Sequence, residues 1–260
     1  MAGILLVNHL FYTIKVGRSA SLEKLIYDLG AIGAFQFMAW YVLFDLLHDS
    51  DAVSAARWRD LLVTGTLGLL LLLPMRGAMW TAALGIAIFL YIFNNGDLRL
   101  RAVATILAGL SAQEYWGHIF FNFVSFPLLC AETAAVGTIL GAVRPGTVWQ
   151  YNIITGPNGF GIVVYDPCSS FHNVSLAILC WLTVSRWRYQ CQWRQDLVMI
   201  GIVAGTMILL NLCRLCLMAW DQGLYDYWHN GAGAEIFVAV ASVTVLSIAL
   251  YGSQRTKQST

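Results

Sequence analysis

The chain alternates long apolar stretches with short polar connections. A helix that crosses a bilayer needs about 20 mostly apolar residues, or about 17 at the short end. Eight stretches approach this length, at about 31–48, 60–74, 77–93, 99–113, 115–140, 168–184, 196–220 and 232–251. The pattern predicts an all-α fold, a polytopic transmembrane helical bundle of about eight helices. Because the count is even, we expect both termini on one side of the membrane, and the Lys and Arg positions given below predict that this side is cytoplasmic.

The same pattern predicts three parts of the chain. Residues 1–30 are expected to be an N-terminal interfacial or cytoplasmic segment, 31–251 the transmembrane domain, and 252–260 a polar cytoplasmic tail. The only long connection, 141–167, is rich in Gly and Pro and ends in a short β-like run at 162–165. Connections of this length without strong secondary structure are usually functional or disordered. The apolar and aromatic content of this one predicts a cap that contacts substrate.

Composition narrows the class of protein. Hydrophobic residues make up 58% of the 260 and charged residues 11%, too few charges for the surface of a soluble protein of this size. The net charge is only +1 and no long Lys/Arg run occurs, which argues against a nucleic-acid partner. The sequence predicts a multi-pass protein of the plasma or inner membrane, with the lipid bilayer as its surroundings.

Lys and Arg positions in the short loops predict which ends of the helices are cytoplasmic. With cytoplasmic termini, that side holds nine: Lys15, Arg18, Lys24, Arg76, Arg186, Arg188, Arg194, Arg255 and Lys257. The opposite loops hold five: Arg57, Arg59, Arg99, Arg101 and Arg144. This moderate bias places the start of the 168–184 stretch on the extracytoplasmic face.

Cys168 stands at that start, directly after Asp166 and Pro167. Pro favours the first turn of a helix, and Ser169 or Ser170 can cap its free backbone donors. A thiol at the positive end of a helix has a pKa below its usual value of about 8.5, and its thiolate is a nucleophile. Asp166 is a candidate to orient a histidine or to cap the helix. The other five cysteines mostly lie within apolar stretches and are interpreted as small hydrophobic residues.

Two later residues are expected at the same face. Arg214 lies 18 residues into the seventh stretch, about 27 Å from its cytoplasmic end, where an unpaired charge is costly. Asn211, three positions earlier, shares its helical face. His229 precedes the last stretch and is a candidate base. His172, four residues after Cys168, is a rival base that the sequence leaves open.

The order Cys168 in Cys-Ser-Ser, Arg214 in Asn-Leu-Cys-Arg, and His229 before the last helix resembles the exosortase/archaeosortase family of membrane cysteine transpeptidases. Those proteins have about eight membrane helices and a Cys, Arg and His on the extracytoplasmic side. The family commonly has Cys-Ser-Gly, whereas this chain has Ser170 in the Gly place. That difference bears on how closely a substrate backbone can pass by position 170, and it does not change the choice of Cys168 as the nucleophile.

The resemblance implies that the substrates are exported proteins anchored at their C-terminus. Cys168 would attack the scissile carbonyl, Arg214 would hold the oxyanion or the thiolate, and His229 would protonate the departing amine. A thioester would form and then pass to an amine or to water. This chemistry requires no metal and no organic cofactor.

A non-enzymatic alternative also fits the sequence. In a transporter or assembly factor, Arg214 would join Asp221, Asp226 and Glu235 in a polar cluster that binds a solute or steadies the bundle. Against this alternative, the chain has no evident internal repeat and lacks the paired broken helices of many transporters.

Overall fold

The computed structural model describes residues 3–7, 33–48, 58–73, 75–93, 96–188 and 192–255. After a short helical segment at 3–7, the helices are α1 (Ala34–His48), α2 (Trp58–Leu72), α3 (Arg76–Phe93), α4 (Leu98–Ser111), a π-helical segment (Ala112–Trp116), α5 (Gly117–Val143), α6 (Ser170–Trp187), α7 (Trp193–Met218), α8 (Gln222–Asn230) and α9 (Ala232–Arg255). The helical fold class is confirmed. Most of the predicted N-terminal segment, with His9, lies outside the described residues, as does most of the tail.

Three of the described helical runs are long and apolar enough to cross a membrane: Leu98–Val143, Trp193–Met218 and Ala232–Gln254. The predicted stretches match helices with ends within four residues, with one exception. In place of the two spans predicted at 99–113 and 115–140, α4, the π-helical segment and α5 form one uninterrupted run. The eight predicted spans therefore correspond to seven helical runs in the described part of the chain.

The π-helical segment explains why the predicted break is absent. The polar pair Gln113 and Glu114 lowers the local hydropathy, but both side chains are buried by neighbouring helices. Gln36 at the start of α1 donates a hydrogen bond to Glu114 Oε1. Arg76 at the start of α3 donates to the Glu114 carbonyl at 2.6 Å and pairs with Oε2 at 3.3 Å. Tertiary partners satisfy the polar groups, so the chain has no need to leave the bundle there.

These contacts also fix which helix ends lie together. Ser175, in the second turn of α6, donates to Gln113, so the π-helical segment lies beside the start of α6. The starts of α1 and α3 lie there too, and we call this the Cys168 end of the bundle. At the other end, Trp187 at the end of α6 donates to Asp45 near the end of α1, at 3.1 Å.

The predicted side of three arginines is therefore wrong. Arg76, expected opposite Cys168, lies at the Cys168 end through its contacts with Glu114. Arg99 and Arg101, expected beside Cys168, begin α4, and Arg99 precedes the π-helical segment by 13 positions, about 20 Å along the helix. The cause is the break assigned between the fourth and fifth spans, which reversed the direction of every earlier helix.

Among the described residues, α1 begins at the Cys168 end, whereas Gln195 at the start of α7 donates to the Gly252 carbonyl at the end of α9, at 3.1 Å, at the opposite end. The expectation of both termini on one side is therefore not confirmed.

The long connection folds into a small sheet. Strands β1 (Val148–Gln150), β2 (Ile153–Thr155) and β3 (Gly161–Val163) pair antiparallel in the order β1-β2-β3. The sheet rests on α5 through Trp149, whose ring lies where a side chain on Gly137 would be: a Cβ there would be 2.5 Å from the ring. β3, which overlaps the predicted β-like run, leads directly to Cys168.

Candidate active site

The Cys168 segment is a tight turn between the sheet and α6. A 3₁₀ turn covers Asp166–Cys168, with the Cys168 amide donating to the Tyr165 carbonyl at 2.8 Å. The α-helix begins only at Ser170, where the Ser169 hydroxyl accepts from the Phe171 amide at 3.3 Å. The predicted serine cap is confirmed, but Cys168 precedes the helix instead of opening it.

Glu132 of α5 occupies the N-terminus of α6. Its Oε1 accepts hydrogen bonds from the Ser170 amide at 3.0 Å, the Ser169 hydroxyl at 3.2 Å and the Ser170 hydroxyl. All three residues are buried. A carboxylate is favourable at the positive end of a helix. The group that interacts with the positive end of the α6 dipole is therefore the Glu132 carboxylate. The expected lowering of the Cys168 pKa by this dipole is absent.

The electrostatics of Cys168 reflect this arrangement. Cys168 is 9% exposed and packs in an apolar cluster with Leu215 and Met218 of α7. Burial raises the pKa of its thiol above the usual value, and the nearby Glu132 adds to the rise. The Tyr165 backbone contact and the Arg214 guanidinium oppose it. The sequence predicted a lowered pKa, so the direction is the reverse: the resting group is a buried neutral thiol beside a cation.

Two residues of α7, one turn apart, contact two different segments of the site. Asn211 is buried and donates from Nδ2 to the Cys168 carbonyl at 2.9 Å. Arg214 donates from Nε at 3.1 Å and from Nη2 at 3.0 Å to the Trp228 carbonyl. Its guanidinium lies 4.9 Å from the Phe237 ring centroid. Asn211 and Arg214 thus lie on one face of α7, as predicted, where Asn211 supports the Cys168 turn and Arg214 supports α8.

His229 is connected to the Cys168 cluster through the ring of Tyr225. Its imidazole stacks on Tyr225, with centroids 4.9 Å apart and planes 13° apart. Tyr225 packs against the apolar cluster that contains Cys168. Burial raises the pKa of Tyr225, and the Cys168 side chain adds to this rise. Asn230 Oδ1 lies 2.9 Å from His229 Nδ1. Because a carbonyl oxygen only accepts, Nδ1 carries the proton in the neutral ring and Nε2 is the free base.

The rival base lies elsewhere. His172 and Asp166 line a cleft of about 390 Å³ between the π-helical segment, α5 and α6. The ring of His118 is the nearest aromatic partner of His172, with centroids 6.4 Å apart. Cys168 does not line this cleft. The structure therefore groups Cys168 with Arg214 and, through Tyr225, with His229, and it puts Asp166 and His172 in a separate cleft.

Two residues of this site were not assigned to it from the sequence. Glu132 is an acidic residue within an apolar stretch, which is a functional-site hypothesis by default in a membrane helix. Tyr225 precedes His229 by four positions on one helical face. Both signals are present in the sequence, but neither identifies Cys168 as the partner.

The proposed polar cluster of the non-enzymatic alternative is not assembled. Asp221 caps α8 by accepting from the Leu224 amide at 2.8 Å, and Asp226 accepts from Gln222 at 3.0 Å. Within the described ranges, neither forms an ion pair with Arg214, and no group of three or more His, Cys, Asp or Glu side chains is placed to hold a metal ion.

Comparisons with known proteins found no matching family model, no matching curated protein and no matching solved structure.

Proposed function

We propose that the protein is a membrane cysteine peptidase or transpeptidase that cleaves the C-terminal sorting signal of exported proteins, as the resemblance to exosortases and archaeosortases implies. One observation carries the proposal: α7 holds the Cys168 turn through Asn211 and sets Arg214 beside the thiol one turn later. A buried thiol next to a half-buried cation at a helix end is an arrangement in which charge can develop on sulfur.

In the proposed mechanism, the proton of the Cys168 thiol passes through one water molecule to His229 Nε2 as the sulfur attacks the scissile carbonyl, since His229 stacks on Tyr225 and does not contact the thiol. The Arg214 Nη1 donors make no hydrogen bond within the described residues, so they are available to the oxyanion. Collapse of the tetrahedral intermediate breaks the C–N bond, and His229 returns its proton to the departing amine. The product is a thioester on Cys168.

The second half of the reaction releases the enzyme. An incoming amine or water loses a proton to His229 and attacks the thioester carbonyl. The C–S bond then breaks, and the departing thiolate takes that proton from His229, which regenerates the Cys168 thiol. An amine gives transpeptidation, whereas water gives hydrolysis. Mass spectrometry of the product distinguishes the two, because only transpeptidation adds the mass of the acceptor.

We further propose a multi-pass protein of the plasma or inner membrane with this site on the extracytoplasmic face. The arginines support it. Arg99, Arg101, Arg186 and Arg194 begin or end helices at the end opposite Cys168, whereas Arg76 and Arg144 lie at the Cys168 end. By the positive-inside rule, the arginine-rich end is cytoplasmic. The corrected helix directions thus favour the same face for Cys168 as the loop charges in the sequence.

The decisive experiment is co-expression with an exported protein that carries a C-terminal motif, an apolar helix and a basic cluster. The mass and terminal chemistry of that protein are then measured by mass spectrometry. Processing should stop with Cys168→Ala and fall with Arg214→Ala and His229→Ala. His172→Ala is the matched control, and it should process normally. Equal processing by all four variants would overturn the proposal.

One observation favours the non-enzymatic alternative. Arg214 donates both of its hydrogen bonds to the Trp228 carbonyl, a contact that by itself could simply tie α8 to α7. A membrane-impermeant maleimide applied to spheroplasts separates the two functions. Labelling of Cys168 that slows in Arg214→Ala supports the enzyme, and an inert Cys168 supports the structural role. The Cys168→Ala variant gives the background labelling.

A further inference from the structure

A polar cleft and an apolar groove meet between the π-helical segment and α6. The cleft, about 390 Å³, includes the side chains of His118, Asn122, Asp166 and His172. The groove, about 420 Å³, is lined mainly by apolar residues of α4 and α6: Ala108, Gly109, Val174, Ile178, Leu179 and Leu182. The two share Gln113, Gly117, Phe171 and Ser175, so they adjoin and together form one two-part feature.

The dimensions of this feature match one bilayer leaflet. The groove extends from Gly117 to Thr105, 12 positions, or about 18 Å along the helix. Half of a hydrocarbon core about 30 Å thick is about 15 Å. The polar cleft lies at the Cys168 end, beside the turn that holds Asp166 and Pro167. A polar end at the helix boundary and an apolar end within the bundle suit an amphiphile.

The polar groups of the cleft are not used by the fold. The side chains of His118, Asn122, Asp166 and His172 make no hydrogen bond with any residue that the structure describes. Four such side chains around one cleft offer a ligand both donors and acceptors. By contrast, Gln113 at the junction is already engaged by Ser175.

The charge of the residues that line the cleft indicates which lipid headgroup would bind there. Asp166 is the only formally charged residue among those that line the cleft, and no Lys or Arg is present. A carboxylate pairs with a cationic headgroup, while imidazole N–H groups donate to phosphate oxygens. An anionic phospholipid without an amine would leave Asp166 beside a second negative charge. We propose that this feature binds a zwitterionic phospholipid with a primary-amine headgroup, its amine at Asp166 and one acyl chain in the groove.

This lipid site goes beyond the proposed function and does not depend on it. The test is native mass spectrometry of the full, delipidated chain in detergent. It is titrated with phosphatidylethanolamine or phosphatidylglycerol of identical acyl chains. We expect phosphatidylethanolamine to bind about tenfold more tightly, which corresponds to about 1.4 kcal/mol. In Asp166→Asn, this preference should disappear, because the amine loses its counter-charge.

A matched pair of variants tests the acyl-chain position. Ala108→Trp fills the groove and should abolish binding of both lipids. Ala239→Trp adds the same bulk on the exposed surface of α9, away from the groove, and should leave binding unchanged. A photoactivatable phosphatidylethanolamine should crosslink to residues 105–122 and 166–182. Equal affinity for the two lipids, or equal effects of the two tryptophans, would mean annular binding only and would overturn the site.

Discussion

Replacing Glu132 tests how the Cys168 turn and the start of α6 are held. Glu132→Ala removes one buried acceptor shared by the Ser170 amide and the hydroxyls of Ser169 and Ser170. The hydroxyls can rotate toward other partners, but the backbone amide cannot. Glu132→Gln keeps an oxygen at the Oε1 position and removes only the charge. The two variants therefore separate the loss of the hydrogen bonds from the loss of the negative charge.

The expected magnitude comes from these contacts. An orphaned buried donor costs about 1–3 kcal/mol, and truncating a buried side chain adds the cost of a cavity. We expect Glu132→Ala to lower the free energy of unfolding by about 3 kcal/mol. For a chain of this size, that lowers Tm by about 6–12 °C, at about 2–4 °C per kcal/mol. Glu132→Gln should lower it by less than half as much, because weaker, neutral hydrogen bonds remain.

The assay is thermal unfolding in detergent, followed by the fluorescence of the ten tryptophans. The same samples are alkylated with iodoacetamide at a series of pH values, and Cys168 is quantified by mass spectrometry. Because Glu132 helps to raise the pKa of the Cys168 thiol, both variants should shift its alkylation to lower pH. Equal losses of Tm in the two variants, or unchanged alkylation in Glu132→Gln, would refute this account of Glu132.

Three further predictions concern the surroundings of Cys168. In the wild type, burial keeps the pKa of Cys168 raised, so iodoacetamide alkylation should reach its midpoint above about pH 8.5. Arg214→Gln should slow this alkylation severalfold at pH 8, because the cation that stabilises the thiolate is lost. A faster reaction in Arg214→Gln would contradict this. Asn211→Leu should lower the free energy of unfolding by about 1–2 kcal/mol, measured by thermal unfolding, since the buried Cys168 carbonyl loses its donor; an unchanged Tm would show that this contact is unimportant. Gly137→Ala should displace Trp149 and cost about 1–3 kcal/mol, visible as a red shift in tryptophan emission, and an unshifted spectrum would contradict it.

Local sequence pattern predicted the helices well, because apolar length alone identifies most of them. α9 was predicted at 232–251 and observed at Ala232–Arg255. The pattern failed at Glu114, where a polar dip looked like a connection. The partners that bury this carboxylate, Gln36 and Arg76, are 78 and 38 residues away in the chain. A contact at that separation leaves no mark on the local hydrophobic pattern.

The site residues likewise divide into features that local sequence predicts and features that depend on distant contacts. Cys168, Arg214 and Asn211 were predicted on one face because their positions follow from helix ends and helical periodicity. The pKa direction of Cys168 was wrong because it depends on Glu132, which reaches the start of α6 from α5. Sequence spacing also left His172 open as a base. Its assignment to the cleft required knowledge of which side of the turn each side chain occupies.

The length of α7 also determines the geometry of the site. Its residues Asn211 and Arg214 engage two different segments, the Cys168 turn and the Trp228 carbonyl. Each residue added to an α-helix rotates the remainder of that helix by about 100° and advances it by about 1.5 Å. A single-residue insertion in α7 before Asn211 would therefore turn both side chains away together. A change in the length of α7 before Asn211 should therefore disrupt the site far more than a change of an exposed side chain on this helix. The rotation of α7 about its own axis is what positions Asn211 and Arg214.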